Sequence, residues 1–284
     1  MKKSRDLLII LGIYLLAFAI GYVSSLPFGG ILLKLFVFDI VATVVTFIFS
    51  VIFHNSSVYD AYWSLTPMVM SVWLFIDAQA FSGWQILVLI AFNLWSLRLT
   101  VNWVHVFTDF SYEDWRYRKY REESGRFFWP IVNFFGIHLM PTLVVFAGML
   151  PLFEIVKYPL GILALPGILV ILTGVAFEFF ADCQMHAFLE SDANKNICQV
   201  GLWKYSRHPN YLGEITVWLG VFLTMLPYAP HVWYYGGGFL AVAILFNVVS
   251  IPLMEKRQLG RRPEYEIYRK CTSRLLLRPK KKLK

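Results

Sequence analysis

One short stretch of this chain, Gly201-Leu-Trp-Lys-Tyr-Ser-Arg-His-Pro-Asn-Tyr-Leu-Gly-Glu214, gathers Lys204, Tyr205, Arg207, His208, Asn210, Tyr211 and Glu214 beside an apolar run. Polar side chains at a membrane boundary are costly unless they bind a ligand or satisfy one another. Basic groups hold phosphates, while Asn, Asp and Glu hold amides and ribose hydroxyls. Such a stretch can therefore grip a nucleotide through individual side chains. The standard nucleotide signatures are absent: no Gly-x-Gly-x-x-Gly opens a helix and no Walker Gly-Lys-Ser/Thr occurs. Neither HExxH nor Gly-x-Ser-x-Gly is present.

Further polar groups interrupt apolar runs. Asp182 follows Glu178 at i+4, on the same helix face, and Arg98, Asn102 and His105 form one helical stripe. Asp60 lies between Tyr59 and Tyr62 at a junction of two apolar runs. All of these fall on the cytosolic half of the topology derived below, which predicts one polar cavity open to the cytosol. Bland roles stand beside the chemical ones. Arg98 can pair with a carboxylate to hold two helices together, Asp39 and Asp77 suit structural or snorkelling roles, and His138 suits an interhelical hydrogen bond. The segment Glu113-Asp-Trp-Arg-Tyr-Arg-Lys-Tyr-Arg121 is either a solvated helical face or a cationic patch that attracts an anionic cofactor.

The elements that must position these groups are membrane helices. Of the 284 residues, 58% are hydrophobic and 15% charged, against about 25% charged in soluble domains. Runs of roughly 20 apolar residues span a bilayer. Candidate spans are 7–26, 31–53, 62–81, 84–107, 127–153, 159–181, 211–227 and 232–254, giving seven to eight crossings. Transmembrane β-strands would alternate apolar and polar residues, so the fold class is all-α. No linker or internal repeat divides the chain, which predicts a single membrane domain over 1–284. Eight spans put both termini on one side, and that side collects nearly all the Lys and Arg. Only Lys34 and Lys157 fall opposite, with Arg98 inside a span. Cytosolic termini follow from the positive-inside rule. The net charge of +8 then reflects topology and anionic-lipid contact, not nucleic-acid binding. The first run exceeds a secretory h-region and is read as a retained helix. Cys183, Cys198 and Cys271 have neither disulfide nor zinc spacing. The expected location is a bacterial inner membrane; in a eukaryote, the terminal Lys-Lys-Leu-Lys would suit endoplasmic reticulum retrieval.

The 201–214 segment resembles the steroid 5-alpha-reductase-like family, above all its branch of membrane proteins known as DUF1295. Asn93-Leu-Trp-Ser-Leu-Arg-Leu99, Tyr112-Glu-Asp-Trp-Arg-Tyr117 and Glu178-Phe-Phe-Ala-Asp-Cys-Gln184 agree as well. So do Pro252-Leu-Met-Glu-Lys-Arg257 and Arg262-Pro-Glu-Tyr-Glu-Ile-Tyr268. The likeness covers most of 58–279; residues 1–57 add only apolar spans. It implies NADPH held at the cytosolic end of the last helices and reduction of a C=C bond in a lipid-soluble enone or sterol-like substrate. Asp182, Tyr205, Asn210 and Glu214 match polar positions around that cofactor, and Arg207 and His208 match the Arg-His-Pro of sterol reductases. Arg262, Tyr265 and Tyr268 fall where those proteins close over the dinucleotide, and Tyr211 completes the expected set.

The chain departs from the steroid reductases in lacking their Gln-Glu pair in the second span, and Trp95 stands where they carry a tyrosine donor. Tyr59, Asp60 and Tyr62 are the nearest replacements, Tyr59, Asp60 and Glu178 are the proton-donor candidates, and a 3-oxo-steroid is not the expected substrate. Isoprenylcysteine and phospholipid methyltransferases, which use S-adenosylmethionine, share an Arg-His-Pro-x-Tyr core. They follow it with an apolar pair where this chain has Gly213-Glu214, a difference that favours the reductase. A non-catalytic lipid-binding membrane protein is the third alternative.

Overall fold

The computed structural model describes residues 2–192 and 197–281. Lys195 of the basic 195–207 loop and Lys282, Leu283 and Lys284 of the tail signal lie outside the described residues. Among the described residues every regular element is helical, apart from one isolated bridge between Ser206 and Ser273. The helices are α1 (Lys2–Ser25), α2 (Ile31–Ile52), α3 (Tyr62–Asp77), α4 (Gly83–Val106), α5 (Trp115–Ile131), α6 (Met140–Ile155), α7 (Leu165–Asp192), α8 (Pro209–Met225), α9 (Gly236–Ile244), α10 (Ile251–Arg261) and α11 (Tyr265–Cys271). π-helical turns at Val132–Leu139 and Leu245–Ser250 weld α5 to α6 and α9 to α10.

Among the described residues, six helical stretches are long and apolar enough to cross a membrane: Lys2–Ser25, Ile31–Ile52, Gly83–Val106, Trp115–Ile155, Ile162–Ser191 and Pro230–Arg261. The chain is thus an all-helical integral membrane protein. Two expected spans come out short. α3 has 16 residues and α8 has 17, roughly 24–26 Å at 1.5 Å per residue, against a hydrocarbon core of about 30 Å. α3 stops at Asp77 because Gln79 takes a left-handed φ of 49° and Ser82 with Gln85 forms a capping box that starts α4. The charged 113–121 segment is helical from Trp115, and Gly125 (φ 66°) kinks it before the apolar continuation.

The chain divides into two compact units, Met1–Pro159 and Leu160–Lys284. In the first unit α1 packs on α2 at Gly21, where an added Cβ would sit 2.7 Å from the Phe38 carbonyl oxygen. Asn55 then fixes the turn that carries Tyr59. Its Oδ1 accepts from the Ser57 amide, and its Nδ2 donates to the Phe110 and Tyr112 carbonyls at 3.0 and 2.9 Å.

In the second unit α7 and α8 meet along glycines seven residues apart on each helix. A Cβ on Gly174 would lie 2.7 Å from the Gly213 carbonyl, and one on Gly220 would lie 2.9 Å from the Gly167 carbonyl. Lipid offers no hydrophobic drive between helices, so close backbone approach through small residues supplies the packing. This seam sets where the first turn of α8, and the motif preceding it, stand against α7.

Candidate functional site

The motif is assembled from its first residue. Gly201 has φ 51°, and a Cβ there would collide with Gln184 at 2.3 Å; Gln184 Oε1 instead accepts from the Leu202 amide at 2.8 Å. Trp203 Nε1 donates to the Ala181 carbonyl of α7 at 2.9 Å. Ser206 and Arg207 run extended against the segment after α11: Ser206 Oγ donates to the Leu275 carbonyl and the Arg207 amide to Ser273. Pro209 then opens α8 at its first position, where a missing N–H costs nothing and φ is already helical.

This scaffold lines a cavity of about 160 Å³ with Arg207, His208, Asn210, Tyr211, Arg262, Tyr265 and Tyr268. Seven of the expected cofactor residues therefore share one wall-to-wall site. Met185, Phe188, Cys198, Trp203, Met254 and Gln258 are among its further walls. No Asp or Glu is among the described lining residues.

Glu255, absent from the expected set, organises the site from behind. Its Oε1 accepts from Arg207 Nε at 2.8 Å and lies 3.2 Å from His208 Nε2. Arg207 Nη1 also donates to the carbonyls of Arg269 and Thr272 at the end of α11. The arginine is thus a tie between α8, α10 and α11 as much as a ligand group. Burial pushes the His208 imidazole below its usual range, against the opposing pull of Glu255, so the ring is neutral near pH 7. It stacks on Tyr211 (5.5 Å, 6°), which stacks on Phe246 (4.6 Å, 15°). Burial pushes the Tyr265 and Tyr268 phenols up, so both remain protonated. Tyr268 donates to the Trp203 and Ser206 carbonyls, closing α11 over the motif.

The other candidates stand elsewhere. Tyr205 is 41% exposed, with Lys204 Nζ 5.7 Å from its ring centre. Glu214 is buried one turn into α8 and accepts from Trp218 Nε1 at 2.8 Å. Glu178 is buried on α7, packed so that a Cβ on Gly213 would touch its Cγ. Asp182, one turn further, is half-buried. None of these four lines the cavity. The α-helical spacing that placed them on one face also let them turn into the α7–α8 seam or outward.

Tyr59 and Asp60 belong to a polar cluster of the first unit. Tyr59 OH is 2.8 Å from Thr142 Oγ1, which is 3.0 Å from Thr43 Oγ1. Thr43 donates to Tyr62 OH, and Tyr62 donates to Asp39 Oδ1 at 3.1 Å. Asp39 is therefore a buried acceptor, as a structural role requires. Asp60 accepts from Tyr117 OH at 2.7 Å, and burial with the nearby Asp114 charge pushes its carboxyl up to about 7. His138 differs from expectation: its Nδ1 meets the Asn133 carbonyl of its own π-helical turn at 2.9 Å, not a second helix.

Glu255 lies in the Pro252–Arg257 stretch that carries the family resemblance, yet no role was assigned to it because nothing local singles it out. Its partners lie 47 and 48 residues away. Gln258, one turn on, was likewise missed; it accepts from Arg262 Nη1 at 3.0 Å.

Among known proteins, the family model described as a protein of unknown function, DUF1295, matches residues 46–272. An uncharacterized protein of Schizosaccharomyces pombe, C594.04c, is 25% identical over 93% of this chain and 83% of its own length. No solved structure matches the chain. The family match starts within α2 and ends just after α11, so it takes in Tyr59, Asp60, Tyr62 and Thr142 and the whole cavity, while Asp39 and Thr43 precede it. The chain belongs to the DUF1295 family.

Proposed function

We propose that this protein is a membrane-embedded NADPH-dependent reductase of a C=C bond in a lipid-soluble enone or sterol-like substrate. The observation that carries this reading is the charge of the cavity wall: two arginines and no carboxylate among the described lining residues. A fork of guanidinium donors suits phosphate, while the Asn210 amide and the stacked His208–Tyr211 rings suit a base or an amide. The cavity is smaller than the roughly 300–1,000 Å³ of ordinary small-molecule pockets, so it takes only part of a dinucleotide. When bound, NADPH supplies the hydride. The protein's share is to hold the phosphates at Arg262, keep Arg207 aligned through Glu255, and return a proton to the substrate. Asp60, with its raised carboxyl pKa, suits general-acid work near neutral pH, with Tyr59 and Glu178 as the other candidates.

We further propose that α3 and α8 cross as short spans, giving seven to eight crossings with both termini cytosolic. The one-sided distribution of Lys and Arg supports this arrangement.

Transfer of a methyl group from S-adenosylmethionine is the second reading, and two observations favour it. The modest cavity suits a smaller cofactor. Glu214, the carboxylate that sets this chain apart from methyltransferases, is engaged by Trp218 away from the wall. Against it, a sulfonium cation gains nothing from two arginines.

Thermal unfolding of the purified chain with each cofactor tests the choice. A ligand at 100 times its dissociation constant adds roughly 2.7 kcal/mol. NADPH should stabilise the wild type and lose most of that effect in Arg262→Gln. Stabilisation by S-adenosylmethionine alone would transfer the assignment, and a response to neither would favour a non-catalytic lipid-binding protein.

A further inference from the structure

A second cavity, of about 380 Å³, lies within the first unit and is lined by Ser50, Val51 and His54 from the end of α2 with Arg121, Trp129, Pro130 and Asn133. We propose that it holds the phosphate of an anionic phospholipid.

The cavity exists because of the Gly125 kink. The left-handed backbone there turns the basic first half of α5 against its apolar second half, so Arg121 lies over the Trp129 ring at 4.8 Å. Arg121 Nη2 is used: it donates to Glu113 Oε1 at 2.7 Å and to the His54 carbonyl. Its Nε and Nη1 make no hydrogen bond to a described residue. Asn133 is 2% exposed; its Oδ1 accepts from Ser56 Oγ and its backbone carbonyl faces His138. Its Nδ2 likewise donates to no described residue. Three idle donor nitrogens, two of them on a guanidinium, thus border a space with no carboxylate among its described lining residues. That arrangement calls for an anionic acceptor.

Position decides which one. α2 is a membrane-length helix ending at Ile52, and the basic part of α5 precedes the apolar remainder of a membrane-length stretch. The cavity therefore lies at the level where hydrocarbon gives way to headgroups. Apolar surface leads away from it: Val51, Ile52, Phe128 and Ile131 are exposed, and Phe127 is 82% exposed, a surface for acyl chains. A tryptophan and several basic residues at this depth are the features that draw anionic lipid. Along 113–126, Arg116, Arg118, Lys119, Arg121 and Arg126 outnumber Glu113, Asp114, Glu122 and Glu123 by one, so an uncompensated phosphate is favoured over a zwitterionic headgroup.

The test is thermal unfolding of the delipidated full chain in nonionic detergent with phosphatidylglycerol, phosphatidylcholine or glycerol 3-phosphate. Phosphatidylglycerol should raise the midpoint at several-fold lower concentration than phosphatidylcholine, and glycerol 3-phosphate should have no effect. Arg121→Gln should abolish the preference. Because that change also breaks the Glu113 pair, Val51→Trp serves as a second variant that fills the space and leaves Arg121 intact. It too should lose the shift while keeping its response to NADPH. Equal shifts in Val51→Trp and wild type would overturn the site. Equal potency of the two lipids would overturn the anionic assignment, and a shift with glycerol 3-phosphate would replace the lipid by a soluble phosphate ester.

Discussion

Glu255 is the side chain on which the Arg207–His208 pair depends. It receives Arg207 and His208 together, and both it and Arg207 are nearly withdrawn from solvent. Removing one partner of a buried ion pair leaves an uncompensated charge and costs about 3–5 kcal/mol. Glu255→Ala should lower thermal stability by that order, whereas Glu255→Gln, which keeps an acceptor, should lose less. A loss below about 1 kcal/mol in the alanine variant would show that Arg207 is held by the α11 carbonyls alone. Asp60 offers a second residue-level prediction. Its carboxyl pKa rises from 3.8 in the unfolded chain to about 7 in the fold, so the folded state binds more protons between those values. The stabilisation is complete below the unfolded value and is lost as pH rises through about 7. Relative to Asp60→Asn, the wild type should therefore weaken steadily from about pH 4 to 7 in unfolding experiments. Parallel curves for the two proteins would remove Asp60 from the proton-donor candidates.

The helices themselves were largely legible, and the reasons for the exceptions are local. α1, α2, α4 and α7 follow from continuous apolar runs that only a spanning helix satisfies. The start of α5 was obscured because Trp115–Arg126 is charged, and charge alone does not separate a solvated helix from a loop. The π-helical turns at Val132–Leu139 and Leu245–Ser250 consist of ordinary apolar residues, so nothing in composition announces them. Of the cavity lining, Arg207, His208, Asn210 and Tyr211 were legible from the polar density of 201–214 and Arg262, Tyr265 and Tyr268 only from the family resemblance, but the direction of Glu178 and Glu214 depended on the glycine seam between α7 and α8. That seam makes its own prediction. In Gly174→Ala the new methyl meets backbone of Gly213 and Val217, which cannot move aside as a flexible side chain can. Overpacking of this kind costs typically 1–3 kcal/mol. Gly12→Ala in α1 has open space around it and should instead stabilise by up to about 1 kcal/mol through helix propensity. Thermal midpoints of the two variants should move in opposite directions; a neutral Gly174→Ala would mean that α7 and α8 slide freely.

At the scale of the whole molecule, the proposed function depends on which face of the membrane each loop occupies. The positive-inside argument counts Lys34 and Lys157 as the sole loop cations on the far side, and it holds only if α3 and α8 both cross. Each is several ångströms shorter than the hydrocarbon core, a mismatch that local bilayer thinning accommodates at fractions of a kcal/mol per ångström. Burial around much of the circumference of both helices, including Tyr62, Thr66 and Leu74 in α3 and Glu214, Trp218 and Met225 in α8, supports the proposed crossings. In a cysteine-free background, single cysteines at Lys157 and Arg118 report the arrangement directly. A membrane-impermeant maleimide applied to intact cells should label the Lys157 position at once and the Arg118 position only after permeabilisation. An Arg269 cysteine should behave like Arg118. If α3 does not cross, the Arg118 position labels from outside and the Lys157 position only after permeabilisation; if α8 does not cross, the Arg269 position labels from outside while Arg118 stays protected. The Arg262–Tyr268 wall would then need reassignment, because a cytosolic NADPH pool reaches only a cavity whose C-terminal strap lies on the cytosolic side.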